Sequence, residues 1–181
     1  MPNALLFREE LISQIPALQL LINLGYSYLT PDEALAKRGG KFSQVILEDV
    51  LLAWLKANNN IQYKRQTHSF SDDNFQQAMR RLKDEPYDGL VRTNEKLYEL
   101  LTLGVSLPQT IEGDTRSFTL QYINWQDPAK NVYHISDEFV VQKPKSDDTR
   151  RPDVVLFVNG IPFVVIECKR PDLAKASGEK A

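Results

Sequence analysis

Thiol and imidazole chemistry is nearly missing from this sequence: 181 residues hold one cysteine, Cys168, and two histidines, His68 and His134. A lone cysteine cannot close an internal disulfide and fits a reducing compartment. His134 has no partner at metal-ligand spacing and reads as a strand histidine with a satisfied hydrogen bond. No apolar run approaches the ~20 residues of a membrane span, and residues 1–8 lack the basic segment and long apolar core of a signal peptide. The expectation is an intracellular, cytoplasmic protein with no membrane partner. An excess of positive charge is missing too: net charge is -2 and the pI about 5.7. There is thus no global basic field of the kind that holds a protein on nucleic acid. Any such contact needs a local patch or a partner's help. No Walker-type Gly-Lys motif and no helicase motif occurs.

What is present is ordinary for a globular chain, with 42% hydrophobic and 25% charged residues. The length suffices for one domain with a sizeable core. Up to residue 104 the pattern is mainly helical. Leu11, Ile12, Ile15, Leu18, Leu21, Ile22 and Leu24 fall at helical spacing over 7–24, with Pro16 starting or kinking the helix and Gly25 stopping it. Residues 26–41 read as an extended piece and a loop, made basic by Lys37, Arg38 and Lys41; the readings are a solvated loop or a phosphate-contacting one. The clearest helix spans 43–58, with Val45, Ile46, Val50, Leu51, Trp54 and Leu55 on one face. Another spans 71–82, capped by Ser71 with Asp72 and Asp73 in its first turn. A fourth spans 93–103 and is closed by Gly104. From Ser117 the period becomes two: 118–125 and 131–141 alternate, and 143–150 forms a polar connection. Asp137 and Glu138 read as a solvated pair.

The most informative stretch is 151–172. Two apolar, β-branched runs flank Asn159-Gly160, the strongest short-range hairpin signal because both residues accept positive φ. Asp153 stands at the outer end of the first strand, Glu167 and Lys169 at the outer end of the second. Alternation puts Glu167 and Lys169 on one face and Cys168 on the other. Register decides whether Asp153 joins them. A two-residue loop pairs Val158 with Ile161 and Asp153 with Ile166, which leaves Glu167 on the opposite face. An odd-length loop or a bulge sets Asp153 across from Glu167. Pro162 suits a position that donates no ladder hydrogen bond.

Two carboxylates held close beside an apolar core repel each other unless they share a cation. A hard divalent ion with oxygen ligands, Mg²⁺ above all, resolves this, since it binds through one or two carboxylates plus water and phosphate. Lys169 would orient or deprotonate the attacking water, or stabilise charge building on a phosphate. That set of groups suits phosphodiester hydrolysis.

Pro152-Asp153 followed by Glu167-Cys168-Lys169 resembles the catalytic signature of the PD-(D/E)xK nuclease superfamily. The surroundings, Arg151-Pro152-Asp153 and Phe157-Val158-Asn159-Gly160-Ile161-Pro162, resemble the N-terminal nuclease domain of the restriction (R) subunit of type I restriction-modification enzymes. The likeness extends over nearly the whole chain, including Gly89-Leu90, Asn94 and Leu103-Gly104-Val105. It implies an α/β (α+β mixed) fold, a central mixed sheet flanked by helices around a restriction-endonuclease-like core. Residues 1–181 would be a single domain, mainly helical over 1–104 and β-rich and catalytic over 105–170. Asp153, Glu167 and Lys169 would be catalytic; Asp153, Glu167 and the backbone carbonyl of Cys168 would hold Mg²⁺. In that family a helix glutamate just ahead of a Gly-Tyr pair joins the metal site. Here Gln14 stands near the place before Gly25-Tyr26, and Glu10 lies one helical turn earlier as the candidate ligand.

The resemblance further implies that the chain is the N-terminal fragment of a longer motor subunit, with ATP used only by the motor domains, and no counterpart of the family's downstream Gln and Tyr pair falls within it. Its partners would be double-stranded DNA and the modification and specificity subunits, and cutting would follow ATP-driven translocation. The other reading is a non-catalytic docking or DNA-guiding module whose nuclease site is incomplete in this chain.

Overall fold

Residues 13–143 and 146–169 are described by a computed structural model. In chain order the elements are α1 (Ile15–Asn23), β1 (Ser27–Leu29), α2 (Pro31–Lys37), α3 (Glu48–Asn58), β2 (Asn60–Tyr63), β3 (Gln66–Ser69), α4 (Asp72–Lys83), α5 (Leu90–Leu103), β4 (Val105–Ile111) and β5 (Asp114–Leu120). They continue with β6 (Tyr133–Asp137), β7 (Val141–Gln142), β8 (Thr149–Arg150), β9 (Val154–Val158) and β10 (Ile161–Ile166). The protein is thus mixed α and β, and the largest sheet among the described residues has four strands ordered β1-β6-β9-β10. β1 runs parallel to β6, with Ser27 opposite His134 and Leu29 opposite Ser136. β9 and β10 are joined by a hairpin, so the sheet is mixed.

Local chemistry explains most element ends. Pro16 is the second residue of α1, and Ser13 and Gln14 just ahead of α1 already have helical, π-type backbone, so the helix does not begin at the proline. Gly25 follows with φ of 99°. α2 departs from the expected loop: the Thr30 hydroxyl accepts from Glu33 N–H at 3.3 Å while the Glu33 carboxylate accepts from Thr30 N–H at 2.8 Å, a reciprocal cap that makes Thr30-Pro31 a helix start. α3 begins at Glu48, five residues later than the apolar spacing predicts, because Leu47 N–H is bonded to Gly160 O at 2.8 Å. Ser71 caps α4 as expected, its hydroxyl accepting from Asn74 N–H.

The chain divides into two compact units, one from 1–45, 133–157 and 162–181, the other from 46–132 and 158–161. In the first, Ile135, Val154 and Leu156 form the apolar centre of the sheet, with Leu18, Leu21, Tyr26 and Ile166 packed against them. Phe157 meets Phe139 edge to face at 5.2 Å. Over Phe139, 4.0 Å from the ring centre, lies the guanidinium of Arg38. Arg38 is buried and donates to Gln44 O at 3.1 Å, which corrects both loop readings of this residue. Burial lowers its pKa, because the charged form loses hydration.

The second unit has the larger core, centred on Leu51, Trp54, Leu55, Phe75, Leu107, Leu120 and Tyr122 and joined by Ile161. Two antiparallel hairpins flank it. β2–β3 turns at Lys64-Arg65 and β4–β5 at Glu112-Gly113, all four residues in the left-handed region. Buried amides tie this unit together. Asn159 donates to Tyr122 O and to Asn131 Oδ1, both at 2.9 Å, and accepts from Val132 N–H at 2.8 Å. Asn131 in turn accepts from Asn124 N–H. The side-chain amides of Asn131 and Asn159 are thus used on both the donor and the acceptor side, so they fix the hairpin turn without leaving a desolvated group behind.

Candidate active site

The hairpin turn consists of two residues, Asn159 (φ 52°) and Gly160 (φ 82°). This is the primed turn whose twist matches that of the strands it joins. The odd-length loop is therefore not what the chain uses, and uninterrupted pairing from this turn would set Asp153 against Ile166. At the other end of the hairpin, Ile166 packs against the apolar cluster of Ile135, Val154 and Leu156. And the Asp153 carboxylate accepts a hydrogen bond from the N–H of Cys168 at 2.6 Å. Asp153 thus lies against the peptide that links Glu167 to Cys168.

The backbone of Asp153 is held from two further directions. Its carbonyl accepts from Glu138 N–H at 3.0 Å, just past the end of β6, and from the Gln14 side-chain amide at 3.3 Å, at the start of α1. Ser13, one residue earlier, donates its hydroxyl to Lys169 O at 3.4 Å. Asp153 is half-buried and Glu167 and Lys169 are exposed. Among the described residues none of these three side chains forms an ion pair, whereas the neighbouring acids are occupied. Glu138 pairs with Arg151 at 3.2 Å, and Asp137 accepts from the Tyr28 hydroxyl at 2.8 Å. Tyr28 is pushed up to about 12, by burial first and by its bond to Asp137 second, so it stays a donor at neutral pH. Asp137 and Glu138 keep partly exposed side chains, in line with the solvated reading, and each holds a neighbouring side chain at the surface.

His134 lies in β6, half-buried, with burial lowering its pKa and Lys37 adding to the effect. Its Nδ1 has no hydrogen-bond partner, contrary to the expected satisfied strand histidine. Glu10, the candidate helix ligand, lies outside the described residues. Sequence reasoning missed the bonds from Ser13 and Gln14, which join residues 156 and 139 positions apart; the one available signal was Gln14 occupying the place of the expected glutamate.

Known proteins resemble this chain in sequence. The family model described as type I restriction enzyme R protein N terminus matches residues 6–181. The chain belongs to this family. Its relatives include the type I restriction enzyme HindI endonuclease subunit of Haemophilus influenzae, 28% identical over 171 residues. Another is a Methanocaldococcus jannaschii chain named for the endonuclease subunit of a type I restriction enzyme, MjaIXP, 26% identical over 169 residues. These alignments cover 92% and 90% of this chain but 15% of each relative. This R-protein N-terminal domain therefore spans only a small part, 15%, of the length of the curated relatives it matches. No described helix is long and apolar enough to cross a membrane.

Proposed function

We propose that this domain is the DNA-cutting part of a type I restriction R subunit: a Mg²⁺-dependent endonuclease of the PD-(D/E)xK class that hydrolyses phosphodiester bonds of double-stranded DNA. The observation that carries the reading is the 2.6 Å bond from Cys168 N–H to the Asp153 carboxylate. It joins the two halves of the Pro152-Asp153 and Glu167-Cys168-Lys169 pattern at one end of the sheet.

The donor set fits a hard cation. Asp153 and Glu167 supply carboxylate oxygens, Cys168 a backbone carbonyl, and no thiolate or imidazole is involved. Among the described residues no three His, Cys, Asp or Glu side chains gather into a complete cage. Such a partial set, with the remaining positions left to water and substrate phosphate, is how proteins usually hold Mg²⁺. Bound there, Mg²⁺ supplies Lewis acidity at the phosphate and lowers the pKa of water. Asp153 and Glu167 would hold that cation with their carboxylate oxygens. Lys169 brings an ammonium to the same edge, where it stabilises the negative charge growing on the phosphate oxygens and orients the attacking water.

The rest of the subunit, on this reading, drives translocation with ATP, the modification and specificity subunits choose the site, and the complex works in the cytoplasm. Lys169→Ala in the assembled complex tests the assignment. DNA cleavage is expected to fall by at least about 10²-fold, the range seen when a charge-stabilising donor is removed, with ATP hydrolysis unchanged. Cleavage at the original rate would remove Lys169, and with it the nuclease reading, from consideration.

A further inference from the structure

We infer that Gln14 is a positioning residue of this site, acting through the backbone of Asp153 and not as a metal ligand; the inference rests on the nuclease reading above. Gln14 is 8% exposed at the start of α1, and its amide N–H donates to Asp153 O at 3.3 Å. The same carbonyl accepts Glu138 N–H at 3.0 Å. Two donors from two elements therefore fix the peptide that carries the Asp153 side chain, which is itself anchored to Cys168 N–H. Ser13 adds a contact past the end of β10, through Lys169 O. The two residues just ahead of α1 thus brace the backbone on either side of the hairpin's open end, at Asp153 and at Lys169.

An amide suits this task and a carboxylate does not. Only the NH₂ group of Gln14 can donate to a carbonyl oxygen, whereas an ionised carboxylate at this position would set two acceptors against each other in a half-buried place and leave one unsatisfied. The buried contact also explains why a neutral side chain stands where a charged one is expected: α1 contributes order to the site, and the charge is left to Asp153 and Glu167.

The test compares Gln14→Met, which keeps length and volume but loses the donor, with Gln14→Glu, which keeps the shape and reverses the hydrogen-bond sense. In the 181-residue chain, amide hydrogen exchange is read at Cys168 and Glu138, the two N–H groups bonded to Asp153. Both variants are expected to exchange roughly five- to tenfold faster there, the loss expected for one hydrogen bond, with the amides of β4 and β5 unchanged. Wild-type exchange at both positions in either variant overturns the inference. In the assembled complex, the Mg²⁺ concentration for half-maximal cleavage is expected to rise several-fold in both variants. If Gln14→Glu lowers that concentration, residue 14 acts as a ligand site and the positioning role falls. Asp153→Ala separates the two levels: an Asp153→Ala complex that cleaves normally overturns the site itself. An inactive one, alongside wild-type Mg²⁺ dependence in Gln14→Met, overturns the role of Gln14 alone.

Discussion

His134 carries a proton-linked cost that the fold does not offset. Its Nδ1 is buried without a partner, and its pKa is lowered from 6.5 by burial and by Lys37. A base whose folded pKa lies below its unfolded one binds protons more readily when unfolded, so its contribution to stability is complete above pH 6.5 and drains away as pH falls through that value toward the folded pKa. Thermal melts from about pH 8 to about pH 5 are expected to show a declining midpoint below about 6.5, and His134→Gln is expected to flatten that decline. An unchanged slope in the variant would show that other groups set it. Arg38 teaches the converse about reading residues singly. Lys37, Arg38 and Lys41 look alike in sequence, yet only Arg38 meets two aromatic rings, Phe42 and Phe139, and is buried by them. Phe139, the ring nearer to its guanidinium, stands far along the chain, beyond the reach of any local pattern. The Asn159-Gly160 turn was legible for the opposite reason: its signal is carried by two adjacent residues that accept positive φ.

Element by element, the helices with long apolar stripes were legible and the short pieces were not. α4 kept its N-cap, but α2 has only seven residues and depends on a cap that looks like a turn signal. β2 has four residues, too few for alternation to stand out. β4 does alternate, yet Pro108 in its middle argues against a strand; a two-stranded ribbon has free edges that tolerate it. The β9–β10 turn was legible as Asn-Gly, while what binds it was not. A Cβ on Gly160 would lie 2.6 Å from Leu47 O and 3.1 Å from Leu51 N, and φ at this position is 82°. Gly160→Ala therefore suffers twice, from strain and from collision with the first turn of α3. A destabilisation of roughly 1–3 kcal/mol is expected, or about 2–4 °C of midpoint for each kcal/mol in a chain of this size. A midpoint within about 1 °C of wild type, to the precision set by that scale, would show that α3 yields freely at its start.

At the scale of the whole molecule, charge constrains function more than shape does. On the proposed reading the domain must hold a polyanion, yet 22 basic residues face 24 acidic ones. Several of the basic ones are already paired, Lys56 with Asp72, Lys64 with Glu112 and Lys83 with Glu48. Phosphate contacts made by Lys and Arg supply nearly all sequence-independent affinity and impose a steep salt dependence. With no surplus of either residue, this chain alone is expected to bind double-stranded DNA more weakly than about 10⁻⁴ M at physiological salt, the weak end of non-specific binding. Its salt slope is expected to correspond to no more than about two phosphates. Fluorescence anisotropy with a short labelled duplex between about 50 and 200 mM salt, the interval over which counterion release is steep, measures both quantities. Tight binding with a steep slope would mean that a local basic surface outweighs the net charge and that the domain engages DNA unaided. Weak binding, together with loss of cleavage in the Lys169→Ala complex, would assign the two tasks to different parts of the assembly: the grip on DNA to the larger remainder and its partners, the cut to the Asp153, Glu167 and Lys169 edge of this sheet. On the proposed reading that division is expected from charge, because two carboxylates at the site would repel the DNA backbone unless a divalent cation were bound between them.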